Sequence, residues 1–352
     1  MEYPSIDTAP AGSIRFNTET NKLEVCTGIG TTSTDIKWWK VDSTSPEEQT
    51  GGTRMLVSGG WGASNRISCL QIETTGHCQD FGDQYVTRYG LGGTADRTRG
   101  VFLGGRMDPS PGQSMGDCDY VTIASFGNAQ DFGDLTSTTR ESMGSCSDRT
   151  RGVVMGGKSN GGILDTIQYI TIQSKGNTKP FGDLNFGRGK GAGLSSPTRG
   201  INFTGDAPNH TTYHNNISYI TISSTGDSAD FGDATQAKSD AEGGANAIRG
   251  IFASGATAPS THTNVIEYIQ IATLGNAVDF GDITSTAVKS PSVASSPIRV
   301  VHAAGATPAS PWGTTAITWW HIATTGNSID FGDLLDNSES GQGISNGHGG
   351  LG

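Results

Sequence analysis

Short segments rich in large apolar residues recur along most of the chain. Residues 217–222 read Ile-Ser-Tyr-Ile-Thr-Ile, and residues 167–172 and 266–271 repeat this pattern closely. Runs of about six residues rich in β-branched and aromatic side chains favour β-strands. Large residues occupy both alternating faces, which is typical of a sheet packed on both sides. The pattern therefore predicts an all-β protein built from buried sheets.

The stretch from residue 191 to residue 233 contains the whole repeating unit. Its four predicted strands cover residues 191–196, 199–204, 217–222 and 229–233. Pro197 and Thr198 form the first turn, and Gly226 allows a tight turn between the third and fourth strands. A four-stranded antiparallel sheet follows from this arrangement.

The motif Phe-Gly-Asp closes each unit and sets the period of the repeat. Its six copies begin, at steps of 51, 49, 50, 49 and 51 residues, at Phe81, Phe132, Phe181, Phe231, Phe280 and Phe331. A period of about 50 is typical of propeller blades. Such sheets stack around an axis because one blade cannot bury both of its faces. Residues 51–352 are therefore predicted to form a six-bladed β-propeller.

The two ends of the repeat complement each other. The first copy begins directly at the second strand, residues 53–58, whereas residues 341–346 align with a first strand. We expect N- and C-terminal strands to share one blade, because this closure removes the open edges between the first and last units.

Residues 1–50 lie outside the repeat and are predicted to form a separate module. A β-hairpin is expected over residues 12–25, a third strand over residues 36–41, and a polar linker over residues 42–50. Three short strands supply little core of their own. We therefore predict an attachment or oligomerisation module; the alternative is an appendage folded onto the propeller. The residues expected to make the attachment are Ile14, Phe16, Leu23, Val25, Trp38 and Trp39.

Composition narrows the class of protein. Glycine accounts for 52 of the 352 residues, which suits short strands and tight turns. The net charge of −11, without a Lys/Arg cluster, argues against nucleic-acid binding. No apolar run reaches the about 18 residues of a membrane helix, and the acidic, polar start is not typical of a signal peptide.

The five cysteines indicate neither a disulfide framework nor a zinc site. Their number is odd and none of them forms a Cys-x-x-Cys pair. Cys69 and Cys118 fall at strand positions held in other copies by Tyr or Ile, so we expect both to be buried apolar residues.

The repeat resembles that of kelch-type propellers. The double glycines at residues 59–60, 104–105 and 156–157 match the end of kelch strand two. The last three copies depart from it, with Gly-Asp or Gly-Ala, and Phe stands where kelch repeats usually have Trp. The resemblance is strong in period and strand order and weak residue by residue.

A second resemblance concerns the first module. Residues 11–25 followed by Trp38-Trp39-Lys40-Val41 are similar to a short module of tailed-bacteriophage virion proteins, especially tail fibres and adhesins. The Thr-Thr-Gly-Asn turn, the Asp-Phe-Gly-Asp strand and the ending at residues 345–350 also resemble structural proteins of marine phages. The resemblance implies a virion component made in the host cytoplasm, on either tail or head.

Motifs of catalysis are missing from the sequence. There is no Ser-x-Asp-x-Gly-x-x-Trp box of a sialidase, residues 187–191 lack P-loop spacing, and the Asp-Phe-Gly letters lack a kinase context. His210 and His214 share one loop and are interpreted as solvated rather than as metal ligands. We expect no catalysis, no cofactor and no metal site.

Ligand-binding residues are predicted in the connections between strands two and three, which vary from copy to copy, because function on repeat scaffolds usually lies in such loops. Aromatic and histidine side chains there offer stacking and polar contacts: Trp61, His210, Tyr213, His214, His262 and Trp312. The alternative is that these loops bind no ligand, or that they contact neighbouring virion proteins.

An arginine opens the second strand in every copy, at positions 54, 99, 151, 199, 249 and 299. We interpret it as a structural residue paired with a carboxylate, with the Asp of Phe-Gly-Asp as the candidate; an electropositive ring is the functional alternative.

The function expected from these features is that of a non-enzymatic phage structural protein. A tail-fibre or tail-tip component that binds a host-surface receptor, with a glycan as the expected class, is favoured over a capsid or tail decoration protein. A propeller enzyme that degrades glycans is the remote alternative. The expected partners are other virion proteins through residues 1–50, a host glycan or protein, and further copies of this chain, with neither nucleic acid nor membrane insertion.

Overall fold

The computed structural model describes residues 12–17, 22–26, 38–40, 53–61, 65–107, 113–136, 140–207, 212–308 and 313–352. The chain folds as two compact units, Met1–Gln49 and Thr50–Gly352, and each is described by itself.

The first unit contains a three-stranded antiparallel sheet in the order β1-β2-β3. Its strands are β1 (Ile14–Asn17), β2 (Lys22–Cys26) and β3 (Trp38–Lys40). Arg15 ties the strands together, since its guanidinium lies 2.7 Å from the buried Glu24 carboxylate and 4.2 Å from the Trp38 ring centroid.

The second unit is a six-bladed β-propeller, which confirms the predicted fold. Each blade is a four-stranded antiparallel sheet. Blade 1 consists of β4 (Arg54–Ser58), β5 (Arg66–Gln71), β6 (Gln79–Asp83) and the distant β33 (Gln342–Ser345). Blade 2 consists of β8 (Gly92–Ala95), β9 (Arg99–Leu103), β11 (Asp117–Thr122) and β12 (Gln130–Asp134). Blade 3 consists of β13 (Gly144–Ser147), β14 (Arg151–Met155), β17 (Thr166–Thr171) and β18 (Lys179–Asp183).

The other three blades have the same strand order, and short two-stranded ribbons form separate sheets. Blade 4 consists of β19 (Ala192–Ser195), β20 (Arg199–Phe203), β21 (Asn216–Thr221) and β22 (Ala229–Asp233). Blade 5 consists of β23 (Glu242–Ala245), β24 (Arg249–Ala253), β27 (Val265–Gln270) and β28 (Val278–Asp282). Blade 6 consists of β29 (Ser292–Ser295), β30 (Arg299–Ala303), β31 (Thr314–His321) and β32 (Ile329–Ser338). Short ribbons pair β7 (Arg88–Tyr89) with β10 (Arg106–Met107), β15 (Lys158–Ser159) with β16 (Gly162–Ile163), and β25 (Ala256–Ala258) with β26 (Thr261–His262). A 3-10 helix covers Gly349–Leu351.

The ring closes in blade 1, as the sequence predicts. The strand β33 pairs antiparallel with β4, in a register that joins Gln342 to Ser58 and Ser345 to Met55. Beyond β33, the Asn346 side chain accepts a hydrogen bond from the Arg54 backbone N–H at 2.8 Å. Blade 1 therefore has the same four paired strands as the others, and the ring of blades is closed.

The core lies in the seams between neighbouring blades. Phe203 of blade 4 stacks on Phe252 of blade 5 with ring centroids 3.9 Å apart, and both rings are fully buried. The Phe of every Phe-Gly-Asp motif is buried as well. Burying each such ring stabilises the fold by about 1.5–3 kcal/mol, so stability depends on the seams rather than on any single blade.

The glycine of Phe-Gly-Asp is required because the hairpin of the next blade touches it. A Cβ at Gly82 would lie 2.3 Å from the Gly127 carbonyl oxygen, and the same approach recurs at all six seams at 2.2–2.6 Å. At the first seam the Gly127 N–H donates to the Phe81 carbonyl at 2.9 Å, and the Ala129 N–H donates to the Asp83 carbonyl at 2.8 Å. The motif is therefore a docking strip for the neighbouring blade.

The arginines that open the second strands also join neighbouring blades, although the Asp of Phe-Gly-Asp is not the partner of their guanidinium groups. Arg99 of blade 2 donates from Nη1 to the Ile172 carbonyl of blade 3 at 3.1 Å. Its five equivalents donate in the same way to the end of the third strand of the next blade. The Asp of the motif instead uses its backbone: the Asp83 N–H donates to Asn128 Oδ1 at 3.1 Å. Carbonyl oxygens are the shared acceptors, and Arg299 Nε lies in addition 3.8 Å from the Glu73 carboxylate.

All five cysteines are buried, which includes Cys69 and Cys118 as expected. In the part of the chain that the structure describes, no helix has the length and apolar character needed to cross a membrane.

Candidate ligand funnel

The connections between strand four of one blade and strand one of the next meet around the propeller axis. One residue of each connection is left-handed, with φ between 50° and 63°. Each backbone N–H of this set donates to the carbonyl of the member before it at 2.6–3.0 Å, and the sixth bond closes the circle. We call this set the axial ring: Gly90, Ser142, Lys190, Asp240, Ser290 and Ser340. A closed circle of backbone hydrogen bonds makes it a rigid floor for whatever lies above it.

Below the axial ring, the first strands of all six blades line a narrow channel with a cavity of about 60 Å³. Residues 348–352 lie at its far end, where His348 Nε2 is 2.8 Å from the Ala95 carbonyl and Arg149 donates to the Gly352 oxygen at 2.9 Å. Glu242 lines this channel, and burial together with the nearby Asp240 raises its carboxyl pKa to about 8. The narrow channel leaves little room for a ligand below the ring.

Two adjoining cavities open above the axial ring, with volumes of about 240 Å³ and 450 Å³. They share Trp61, Lys289, Ala306 and Glu339, and together we call them the funnel. Residues of the strand 2–3 connections line both cavities beside the ring or its neighbours, so the funnel lies on the face of the variable loops. The larger cavity falls within the size range of about 300–1,000 Å³ that is typical of small-molecule sites.

An aromatic pair forms one wall of the funnel. Trp61 is 61% exposed and stacks on Tyr89 with ring centroids 6.2 Å apart and an interplanar angle of 26°. The Trp61 backbone N–H donates to the Glu339 carbonyl at 2.8 Å, and Tyr89 pairs with Arg106 in the β7–β10 ribbon. The stack is therefore positioned by backbone hydrogen bonds and offers an open ring face to a ligand.

An ion pair stands on the floor of the funnel. Lys190 Nζ lies 3.2 Å from Asp240 Oδ2, and Asp240 also accepts hydrogen bonds from the Ser239 and Ser290 hydroxyls at 2.8 and 2.9 Å. Burial opposes the ionisation of Asp240, but the Lys190 ammonium and the two hydroxyls outweigh it and lower its pKa. The pair is therefore fixed in its charged form near neutral pH.

The second cavity holds charged and titratable groups with less internal pairing. Burial raises the pKa of Glu339, with Lys289 opposing the shift, and burial followed by the charge of Lys289 lowers the pKa of His262. Among the described residues, neither Lys289, which lines both cavities, nor Lys158, which lines the first one, has an ion-pair partner. The wall therefore presents ammonium donors, a carboxyl and a neutral imidazole to an incoming ligand.

The residues predicted to bind a ligand divide into three groups. Trp61 and His262 both line the funnel. Tyr213 is close enough to Lys190 to influence its pKa, whereas His214 packs on Phe186 at 4.7 Å between ring centroids and lines neither cavity. His210 and Trp312 lie outside the described residues.

Much of the funnel wall escapes the sequence prediction because it comes from the short strand 4–1 connections. Each connection carries a tripeptide at the same step of the repeat. Its first residue is a buried cation in most copies, and its second residue faces the funnel in four copies. Its third residue belongs to the axial ring. The six tripeptides begin at Arg88, Arg140, Arg188, Lys238, Val288 and Ser338. The regular spacing of these tripeptides along the repeat is the sequence signal from which this part of the funnel wall could have been predicted.

The first unit carries a separate apolar surface. Register places Ile14 opposite Val25 and Phe16 opposite Leu23, so these four residues share one face of the sheet. Ile14, Phe16 and Leu23 are exposed there, and Val25 is half-buried. Trp38 lies under Arg15; the side chain of Trp39 lies outside the described residues.

Within the described ranges, no group of three or more His, Cys, Asp or Glu side chains is arranged to hold a metal ion. No protein-family model matches the sequence, and no curated protein matches it. The funnel and the apolar sheet face are therefore the features of the molecule that bear on its function.

Proposed function

We propose that the chain is a non-enzymatic structural protein of a tailed-phage virion, and that its propeller binds a host-surface glycan in the funnel. One observation carries the binding part of the proposal: an exposed Trp61–Tyr89 stack stands beside lysines that have no ion-pair partner among the described residues, in two adjoining cavities of about 240 and 450 Å³.

The chemistry of the funnel suits a sugar ring. Such a ring has an apolar C–H face, which packs on the open face of Trp61, and a rim of hydroxyls that needs both donors and acceptors. Lys289 and His262 supply donors, and Glu339 supplies an acceptor, all within the cavity that Trp61 lines. Because the axial ring fixes the floor, little ordering cost is expected on binding.

The virion part of the proposal depends on the resemblance of residues 11–25 and 38–41 to phage attachment modules. The apolar face of the first sheet supports it, because Ile14, Phe16 and Leu23 are exposed there and would be covered by a neighbouring virion protein or a further copy of the chain. An exposed apolar face of this kind commonly marks a protein interface.

A competition experiment on phage adsorption tests the proposal. The free wild-type protein should slow adsorption of the phage to its host, and Trp61→Ala should lose this effect because the stacking wall is gone. Ile248→Ala is the matched control, since Ile248 is as exposed as Trp61 (65% against 61%) but lies in a strand 1–2 turn, on the other face of the propeller. If the wild-type protein leaves adsorption unchanged, host recognition is wrong.

A decoration protein is the second candidate, and one observation favours it. Ile248, Leu274 and Ile298 are exposed in adjacent turns of blades 5 and 6, on the face opposite the funnel. Immunogold labelling of virions separates the two candidates. Label on the tail tip or fibres supports host recognition, whereas label spread over the capsid, with Ile248→Ala failing to bind emptied particles, supports decoration.

A further inference from the structure

One blade lacks an aromatic ring that the other five share. In blades 2 to 6 the third strand places a ring on the strand-two arginine, and in blades 2 to 5 this ring also contacts the Phe of Phe-Gly-Asp. The guanidinium carbon lies 4.1–4.9 Å from each ring centroid, and the four tyrosine rings meet the Phe edge-on at 6.0–6.1 Å. The five rings belong to Tyr120, Tyr169, Tyr219, Tyr268 and Trp319.

Blade 1 has Cys69 at this position. Cys69 pairs with Gln79 across β5 and β6, just as Tyr120 pairs with Gln130 across β11 and β12. The Phe126 ring from the blade 2 hairpin takes part of the space that the third-strand ring fills elsewhere, and a cavity of about 230 Å³ remains beside it, with Arg54, Cys69, His77, Gln79 and Phe126 among its lining residues. We call this cavity the blade 1 slot.

The surroundings of the blade 1 slot keep the arginine found in every blade and the glutamine found in blade 2. Arg54 still donates to the Ile123 and Ala124 carbonyls at 3.0 and 2.9 Å, so its guanidinium is fixed in place. In blade 2 the Tyr120 hydroxyl lies 2.6 Å from Gln130 Oε1, and Gln79 is the equivalent acceptor in blade 1. A stacking cation and a hydroxyl acceptor therefore remain although blade 1 has no tyrosine here.

Phe126 shapes the mouth of the slot. It comes from the hairpin of blade 2, and its ring centroid lies 5.4 Å from that of Phe81 and 5.4 Å from the Arg54 guanidinium. It is 54% exposed, so it forms a side wall of the slot and leaves its opening to solvent. A planar ring entering there would contact Phe126 and Arg54 together.

We infer that the blade 1 slot binds a phenol ring supplied from outside the propeller. The ring packs against the Arg54 guanidinium and the Phe126 ring, and donates its hydroxyl hydrogen to Gln79 Oε1. Two sources share this chemistry, namely a tyrosine side chain of another protein and a free phenolic compound. Cation–π and aromatic edge contacts favour such a ring over an aliphatic group of the same size.

Ligand-observed NMR with p-cresol tests the inference. The wild-type protein should bind p-cresol with a dissociation constant of about 1 mM, as expected for a fragment of this size. Cys69→Tyr fills the slot and should abolish binding, whereas the matched Cys69→Ala removes only the sulfur and should retain it. Gln79→Leu should weaken p-cresol about fivefold by removing one hydrogen bond and leave toluene unchanged.

Two further arms locate the site and its source. Trp61→Ala should leave p-cresol binding unchanged, which separates the slot from the funnel. Binding of acetyl-Gly-Tyr-Gly-amide as well as p-cresol would show that a side chain on a polypeptide reaches the slot; binding of p-cresol alone would restrict the ligand to free phenols. The inference is overturned if the wild-type protein does not bind p-cresol, or if Cys69→Tyr or Gln79→Leu binds it like the wild type.

Discussion

Replacing Gly82 by alanine should separate the first two blades. The new Cβ would lie 2.3 Å from the Gly127 carbonyl oxygen, which belongs to backbone and cannot swing aside. Gly127→Ala is the matched control: its φ of 155° is close to the 149° of Gly82, and nothing lies within 4 Å of its Cβ position. Both variants share the strain of an unusual backbone, about 1–3 kcal/mol, so their difference isolates the clash.

The magnitude follows from the bonds that the clash breaks. Moving the hairpin of blade 2 away from Gly82 lengthens three hydrogen bonds: Gly127 N–H to the Phe81 carbonyl (2.9 Å), Ala129 N–H to the Asp83 carbonyl (2.8 Å), and Asp83 N–H to Asn128 Oδ1 (3.1 Å). At about 1 kcal/mol for each bond, Gly82→Ala should lower the free energy of unfolding by about 3 kcal/mol more than Gly127→Ala. For a domain of this size that corresponds to a Tm difference of about 6 °C.

Urea denaturation followed by tryptophan fluorescence, together with calorimetry, measures this difference. Hydrogen exchange should also show the amides of Gly127 and Ala129 losing protection in Gly82→Ala, because their acceptors lie on β6. Equal destabilisation of the two variants would refute the reasoning, since the cost would then come from backbone strain alone and the Phe-Gly-Asp strip would have no special role between blades.

Three further changes have defined outcomes. The folded-state pKa of Glu242 is raised from 4.5 to about 8, so the stability contributed by its protonated carboxyl is full below pH 4.5 and is lost as the pH rises through about 8. Above pH 8, denaturant titrations should therefore find Glu242→Gln more stable than the wild type, by at most about 5 kcal/mol. If the free energy of unfolding of the two proteins changes with pH along identical slopes, this prediction is contradicted. In the wild type the fully buried Glu267 carboxylate lies 2.8 Å from Lys238 Nζ. Lys238→Met removes this cation and should lower the free energy of unfolding by about 3–5 kcal/mol. Adding Glu267→Gln should recover most of this loss, and no recovery would show that the unpaired charge is not the cause. Truncation after Asp333 removes β33 from blade 1 and should lower the Tm by at least about 10 °C; a truncated protein that melts like the full chain would contradict ring closure through that strand.

The sequence alone predicts the propeller, because the period of the repeat and the pattern of its third strand are properties of consecutive residues. Blade number and the shared blade 1 follow from counting copies and comparing the two ends. The partner of the strand-two arginines could not be predicted in this way, because backbone carbonyls exist at every position and leave no side-chain signature. The Asp of Phe-Gly-Asp looks like their partner only because its charge is visible in the sequence.

The funnel shows a different limit. Trp61 and His262 are predicted from their variable loops, but Lys190, Asp240 and Lys289 meet them only because six short connections converge on one axis. Their contact depends on blade tilt and ring closure, which no local pattern encodes. Cys69 is predicted correctly as buried, yet the slot beside it becomes visible only when the five equivalent rings are placed in space.

The most direct test of the account is a glycan-array screen, with labelled wild-type protein, Trp61→Ala and Ile248→Ala compared at equal concentration. The account predicts that the wild type retains a defined set of glycans, that Trp61→Ala loses them at least about tenfold, as expected when an aromatic contact is removed from a binding centre, and that Ile248→Ala matches the wild type. Retention of the same glycans by Trp61→Ala, or no retention by the wild-type protein, would contradict glycan binding in the funnel.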